Sequence, residues 1–177
     1  MLSLIKQYQD GIIVSIIIFI GILLRFYQID FNSLWYDELF TWEKSSYNAF
    51  SDVLLYGVWN DTHPPVHISI MYLIQNIFGD SEIALRTPSA IAGSATILVT
   101  YLLGRDLYRT TIGLFASSLV TCSYFLIYYS QMARVYALLG FFVLIATWAF
   151  YCLITTEEQL KKRLSFFISY RFSFEYT

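Results

Sequence analysis

The sequence predicts an all-α, polytopic transmembrane helix bundle, on three observations. No Asp, Glu, Lys or Arg occurs from Gly11 to Leu24, Thr87 to Gly104, Thr110 to Ala133 or Val135 to Thr156. The chain is 57% hydrophobic and only 14% charged, against roughly 45–50% apolar and 25% charged in soluble domains. Phe and Tyr number fifteen each, with four Trp, a density that suits a chain meeting lipid headgroups repeatedly. An ordinary soluble enzyme, a disordered chain and a disulfide-stapled secreted domain all fit poorly.

About 20 apolar residues of helix cross a hydrocarbon core. The first expected span covers about 11–27. It follows a start with one base, Lys6, and has no small-residue cleavage site, so a retained anchor is preferred to a signal peptide. Arg25 at its far end is expected to snorkel to the interface. An acidic loop follows over 28–62, with six acids and one base between Asp30 and Asp61. Within it, one or two surface helices are expected between Tyr36 and Tyr56, anchored by Leu39, Phe40, Trp42 and Phe50. A second span, about 64–79, opens at Pro64-Pro65, a favourable helix start, but is short for a crossing. The third, about 83–103, carries Ala90, Ala92, Gly93, Ser94 and Ala95, small residues suited to close packing. The fourth and fifth cover about 112–129 and 135–154. Residues 1–156 thus form the membrane region. Residues 157–177 read as a charged, then aromatic, tail and as a truncation point.

Five spans create a conflict. If the acidic loop faces outward, strict alternation puts Lys161, Lys162 and Arg163 outside too, against the positive-inside rule. Either one short segment does not cross, or the charge signal is overruled locally.

Several functions are disfavoured. Cys122 and Cys152 lie in apolar runs, away from any metal or disulfide framework. Bases are few and scattered, so nucleic acid is not an expected partner. There is no Gly-rich phosphate loop, and no cofactor is expected.

Three constellations could carry chemistry. Asp37 and Glu38 sit in an aromatic-apolar cluster, where burial and mutual repulsion suit a general base; the alternative is a helix N-terminus whose acids offset the dipole. Asp61 and His63 sit where the chain re-enters the membrane. His67 is one helical turn on, but no third metal ligand is fixed; the alternative is that the prolines start a helix and His63 caps it or snorkels. Arg86 and Arg134 stand beside membrane runs, where arginine snorkels or pairs with a buried anion. Arg134, among Tyr128, Tyr129, Gln131 and Tyr136, suits a lipid phosphate; a topological anchor is the other reading. Arg105 and Arg109, near Asp106, read as a solvated loop face.

The ordered pieces SLWYDE, DTHPPVHISIMYL, GDSEIALRTPSAIAG, GRDLYRTTIGLFASSL and YYSQMARVYAL, from Ser33 to Leu138, resemble the amino-terminal part of a GT-C superfamily membrane glycosyltransferase. The group is that of dolichyl-phosphate-mannose–protein mannosyltransferases and lipid A aminoarabinose transferase, glycosyltransferase family 39-like. The resemblance implies a polyprenyl-phosphate sugar donor, used as substrate with no cofactor or metal, and a site on the outer membrane face. Asp37 matches the catalytic base, with Glu38 beside it. His63, with Asp61, matches a polar position near the donor phosphate. Arg134, with Tyr136, matches a stretch associated with donor binding, and Arg86 an arginine that looks structural while lining the substrate region. The implied reaction is direct displacement at the anomeric carbon. Such relatives are two to three times longer, so a missing carboxy-terminal half or a helper chain is expected to complete the site. The acceptor is not specified. An inactive remnant, a non-enzymatic membrane protein and, third, a transporter are the competing readings.

Overall fold

A computed structural model describes residues 2–59 and 65–174. Among its described residues every regular element is a helix: α1 (Leu2–Phe26), α2 (Tyr36–Ser45), α3 (Phe50–Asp52) running into a π-helical segment (Val53–Val58), α4 (Pro65–Phe78), α5 (Glu82–Leu107), α6 (Thr110–Cys122), α7 (Tyr124–Ser130) and α8 (Val135–Phe174).

Among the described residues three helices are long and apolar enough to cross a membrane: α1 over Tyr8–Phe26, α5, and α8 over Val135–Glu157. The pair α6 and α7, bent by 62° at Ser123, makes a fourth if counted as one span. The expected single span over 112–129 is therefore broken. At 14 residues, α4 is about 21 Å long, short of a hydrocarbon core of roughly 30 Å. It packs on α2, the π-helical segment and α5. The expectation of five spans thus has three, or four, helices of sufficient length.

The central helix is α5, which packs on α1, α6, α7 and α8. Of the five small residues expected to pack closely, Ala90, Ala92, Gly93 and Ser94 are buried and Ala95 is half-buried. At its far end a Cβ on Gly104 would meet the Cα of Gly113 at 2.9 Å, so α5 and α6 approach backbone to backbone. The outer faces of α1 and α8 present Ile16, Phe19, Leu23, Leu139, Val143 and Phe150, the surface lipid would cover.

The bundle has two distinct ends. The end of α1, α2, the start of α5 and the α7–α8 junction share one: Arg86 bonds the carbonyls of Ile29 and Asn32, and Arg134 that of Asp37. At the other, Lys6, Asp10, Tyr101, Arg105 and Thr110 line a common cavity. There Asp106 accepts from Trp148 Nε1 at 3.0 Å, and its carbonyl accepts from Tyr151 Oη. Arg105 pairs with the Asp106 carboxylate at 2.7 Å. This cluster ties α5 to α8, a tertiary role beyond the solvated loop face expected of it. With the bent pair as one span and α4 not crossing, α8 carries residues 161–163 to the end opposite the acidic loop. The sequence conflict then disappears. The helix continues to Phe174, where the sequence suggested a separate tail.

The acidic loop holds more structure than expected. Leu39, Phe40 and Phe50 are exposed as surface anchors, whereas Trp42 packs inward on the core of Met71, Leu85 and Ala133. Gly57 lets the π-helical segment press onto the Lys44 carbonyl, which a Cβ would strike.

Candidate functional site: two carboxylate–arginine pairs

Asp37 and Glu38 occupy the first turn of α2. Successive helical residues point about 100° apart, so neighbours in sequence meet different surroundings.

Glu38 turns inward and is 1% exposed. Its two oxygens receive Arg86 Nε at 2.9 Å and Nη2 at 2.7 Å, the bidentate fork that suits guanidinium to carboxylate. Oε1 also accepts from the backbone N–H of Ala133 at 2.7 Å. Oε2 accepts from Trp35 N–H at 3.3 Å, one half of a capping box. Arg86 spends its other donors on the carbonyls of Ile29, Asn32 and Ser33. All five guanidinium N–H groups are thus engaged within the protein. One ion pair fastens the end of α1, α2, α5 and the α7–α8 junction. A polar cavity of about 370 Å³ lies alongside, lined by Asn32, Trp35, Glu38, Arg86, Tyr128 and Gln131 among others.

Asp37 turns outward, its side chain 39% exposed. Arg134 Nη2 lies 3.8 Å from Oδ2. Arg134 is held by its Nη1, which donates to the Asp37 carbonyl at 3.0 Å and to Thr41 Oγ1 at 3.3 Å. Its own carbonyl accepts from Ser89 Oγ at 3.2 Å. Its Nε is buried and makes no hydrogen bond. Tyr136 lies beside it, the guanidinium carbon 5.8 Å from the ring centroid. The pair is loose, one member is open to solvent, and Arg134 keeps donors in reserve.

Asp37, Glu38, Arg86, Arg134 and Tyr136 are therefore brought together at one end. Asp61 and His63 lie outside the described residues. His67 is buried on α4. Among the described residues no group of three or more His, Cys, Asp and Glu could hold a metal ion.

Two further residues carry the local architecture. Gln131 donates to the carbonyls of Leu24 and Tyr27, closing the end of α1, where carbonyls lack helical partners. Arg25 is fully buried, a correction to the snorkelling expected of it. Gly21 stands four residues before it and accepts from its Nη1 at 3.1 Å; that i−4 spacing in an apolar run is the one sequence signal.

These features define a polytopic helical membrane protein with a carboxylate–arginine site at the end of its bundle that carries the acidic loop. Residues 62–170 match the family described as dolichyl-phosphate-mannose-protein mannosyltransferase, and the chain belongs to that family. The match begins after Asp37 and Glu38. A Bacillus subtilis (strain 168) protein named "Putative mannosyltransferase YkcB" is 30% identical over 105 residues. That alignment covers 59% of this chain and 15% of the relative, so the chain spans a small part of the relative's length. No solved structure matches the chain.

Proposed function

We propose that the chain forms the catalytic corner of a glycosyltransferase that takes its sugar from a polyprenyl-phosphate donor, with Asp37 as the general base. The observation that carries this reading is the Asp37–Arg134 pair: a half-open carboxylate 3.8 Å from a guanidinium whose Nε has no partner. The family name makes mannose the first sugar to test. Lipid A-type and protein-type acceptors both fit the sequence resemblance.

In this mechanism the acceptor oxygen attacks the anomeric carbon and passes its proton to Asp37. The bond from that carbon to the phosphate oxygen breaks, and the lipid phosphate leaves with the electron pair. Arg134 balances the charge that develops on it. Tyr136, Asp61 and His63 are assigned to the donor side. Glu38 and Arg86 serve by position: their donors and acceptors are satisfied internally, which holds the start of α2 rigid beneath Asp37. Further donor walls come from a carboxy-terminal segment or a second chain, since the relative is much longer.

The acidic loop, net −5 between Asp30 and Asp61 by six acids and Lys44, faces outward in this reading. The basic residues Lys6, Arg105, Arg109 and 161–163 would then lie inside, in accord with the positive-inside rule.

The test is sugar transfer in purified membranes with radiolabelled polyprenyl-phosphate hexoses. The parent should transfer and the Asp37→Asn variant should not. No transfer by a folded, inserted parent would overturn activity of this chain by itself. Equal transfer by both would overturn Asp37 as the base.

A further inference from the structure

The proposed reaction leaves its acceptor open, and the polar cavity of about 370 Å³ beside Glu38 and Arg86 bears on it. That volume falls in the roughly 300–1,000 Å³ range of small-molecule sites. The cavity reaches the first turn of α2 through Glu38, the residue after Asp37. Neither Arg134 nor Tyr136, both assigned to the donor, belongs to its lining. Two neighbours on α7 mark the division. Tyr128 lines the cavity, whereas Tyr129 packs edge-on against Tyr136 with ring centroids 4.9 Å apart.

The charged members of the lining are Glu38 and Arg86, and they neutralise each other. Every N–H of Arg86 is engaged within the protein. The cavity therefore offers no free cation to the phosphates of a lipid A-type acceptor or to an acidic peptide. Its uncharged members are unspent. The side chains of Gln28, Asn32, Ser33, Trp35 and Tyr128 make no hydrogen bond with the described residues. Trp35 is 46% exposed and Tyr128 44%.

Exposed polar side chains on a loose loop would need no ligand, but this loop is fixed. Arg86 donates to the carbonyls of Ile29, Asn32 and Ser33, so a buried cation pins the backbone that carries them. Gln28 has φ 51°, the one positive φ of a non-glycine residue among the described residues. Such a conformation persists where the surroundings over-determine it, and it clusters at ligand sites. A pinned backbone presents its side chains in one geometry and lowers the entropy lost on binding. Amides and hydroxyls both donate and accept, as a ligand hydroxyl does. The negative face of an aromatic ring attracts polarised C–H groups. A ligand that offers hydroxyls, C–H faces and no charge is a sugar.

We propose that this cavity receives the acceptor, and that the acceptor is an uncharged sugar. The proposal rests on the glycosyltransferase reading and adds the acceptor class to it. A hydroxyl oxygen of the bound sugar bonds to the anomeric carbon of the donor as the bond from that carbon to the phosphate oxygen breaks. Its proton passes to Asp37, the electron pair leaves with the lipid phosphate, and the product is a glycosidic bond between two sugars.

Saturation-transfer NMR on the purified chain, in a detergent without a sugar headgroup, tests this. The probes are mannobiose, cellobiose, N,N′-diacetylchitobiose and a neutral, end-blocked threonine tripeptide. At least one disaccharide should give a saturable signal and the peptide none. Asn32→Ala and Trp35→Ala should each weaken sugar binding about tenfold. Both side chains are exposed and the backbone bonds of these residues remain, so the thermal midpoint should hold and show that the variants are folded. Mannosyl phosphate should not displace the disaccharide. No saturable sugar signal in the folded parent, equal binding by the parent and both variants, binding of the peptide in place of sugar, or displacement by mannosyl phosphate would each overturn the proposal. The NMR reads binding without transfer, so the two readings fail separately. Loss of the sugar signal with transfer intact removes the acceptor class alone, and equal transfer by parent and Asp37→Asn with the sugar signal intact removes the base alone.

Discussion

Asp37 and Glu38 are adjacent in sequence and opposite in circumstance. Glu38 is closed in, with Arg86 held bidentate at 2.9 and 2.7 Å and two backbone N–H groups on the same carboxylate. Asp37 is half-open, with Arg134 at 3.8 Å. The first pair consumes every donor and acceptor it has, while the second holds some in reserve. A saturated pair can fix geometry but cannot take up a proton or an anion without breaking. A loose pair can do both. A helix turn of about 100° per residue thus divides one Asp-Glu dipeptide into a buried, saturated carboxylate and a half-open one, the proposed base.

That contrast can be broken at four points. The largest effect on folding is expected from Glu38→Gln, which strands the Arg86 charge in the interior; losing one partner of a buried pair costs about 3–5 kcal/mol. Thermal unfolding in detergent should show a large fall in midpoint. Asp37→Asn should leave that midpoint nearly unchanged, within about 0.5 kcal/mol. It should lower sugar transfer by roughly 10²–10⁴-fold, the usual contribution of a positioned general base. Arg134→Leu lies between the two. It forfeits a charge-assisted bond to the Asp37 carbonyl, about 1.5–3 kcal/mol, and donor titrations should show a raised KM. The smallest effect should come from Asp106→Ala at the other end of the bundle. Loss of its bond from Trp148 should cost about 1 kcal/mol and leave donor KM unchanged.

The sequence made the members of this site legible but not their pairing. Asp37, Glu38, Arg86 and Arg134 stand out because charges are rare beside apolar runs. Which arginine meets which acid depends on helix rotation and on contacts across 48 and 97 positions, and no local pattern encodes those. The alternative reading of the two acids as helix N-terminal residues is realised in part, since Glu38 does bond the Trp35 N–H. The apolar cores of α1, α5 and α8 were visible as uncharged runs. The brevity of α4 was visible too, but its packing on α2 through Met71, and the bond from Gln75 to the Trp42 carbonyl at 3.3 Å, required the fold. The bend at Ser123 has neither proline nor glycine to announce it. Arg25 misled most, because a charge at the end of an apolar run snorkels unless another helix closes over it. Here α6 does so through the Val120 carbonyl.

The most direct test of the division between the two carboxylates is a side-by-side melt of Glu38→Gln, Asp37→Asn and the parent in one detergent. A large fall for Glu38→Gln with no shift for Asp37→Asn is the predicted result. Equal midpoints for the two variants would contradict it, because two carboxylates that contribute alike to the fold cannot be divided into a fastener and a reactive group.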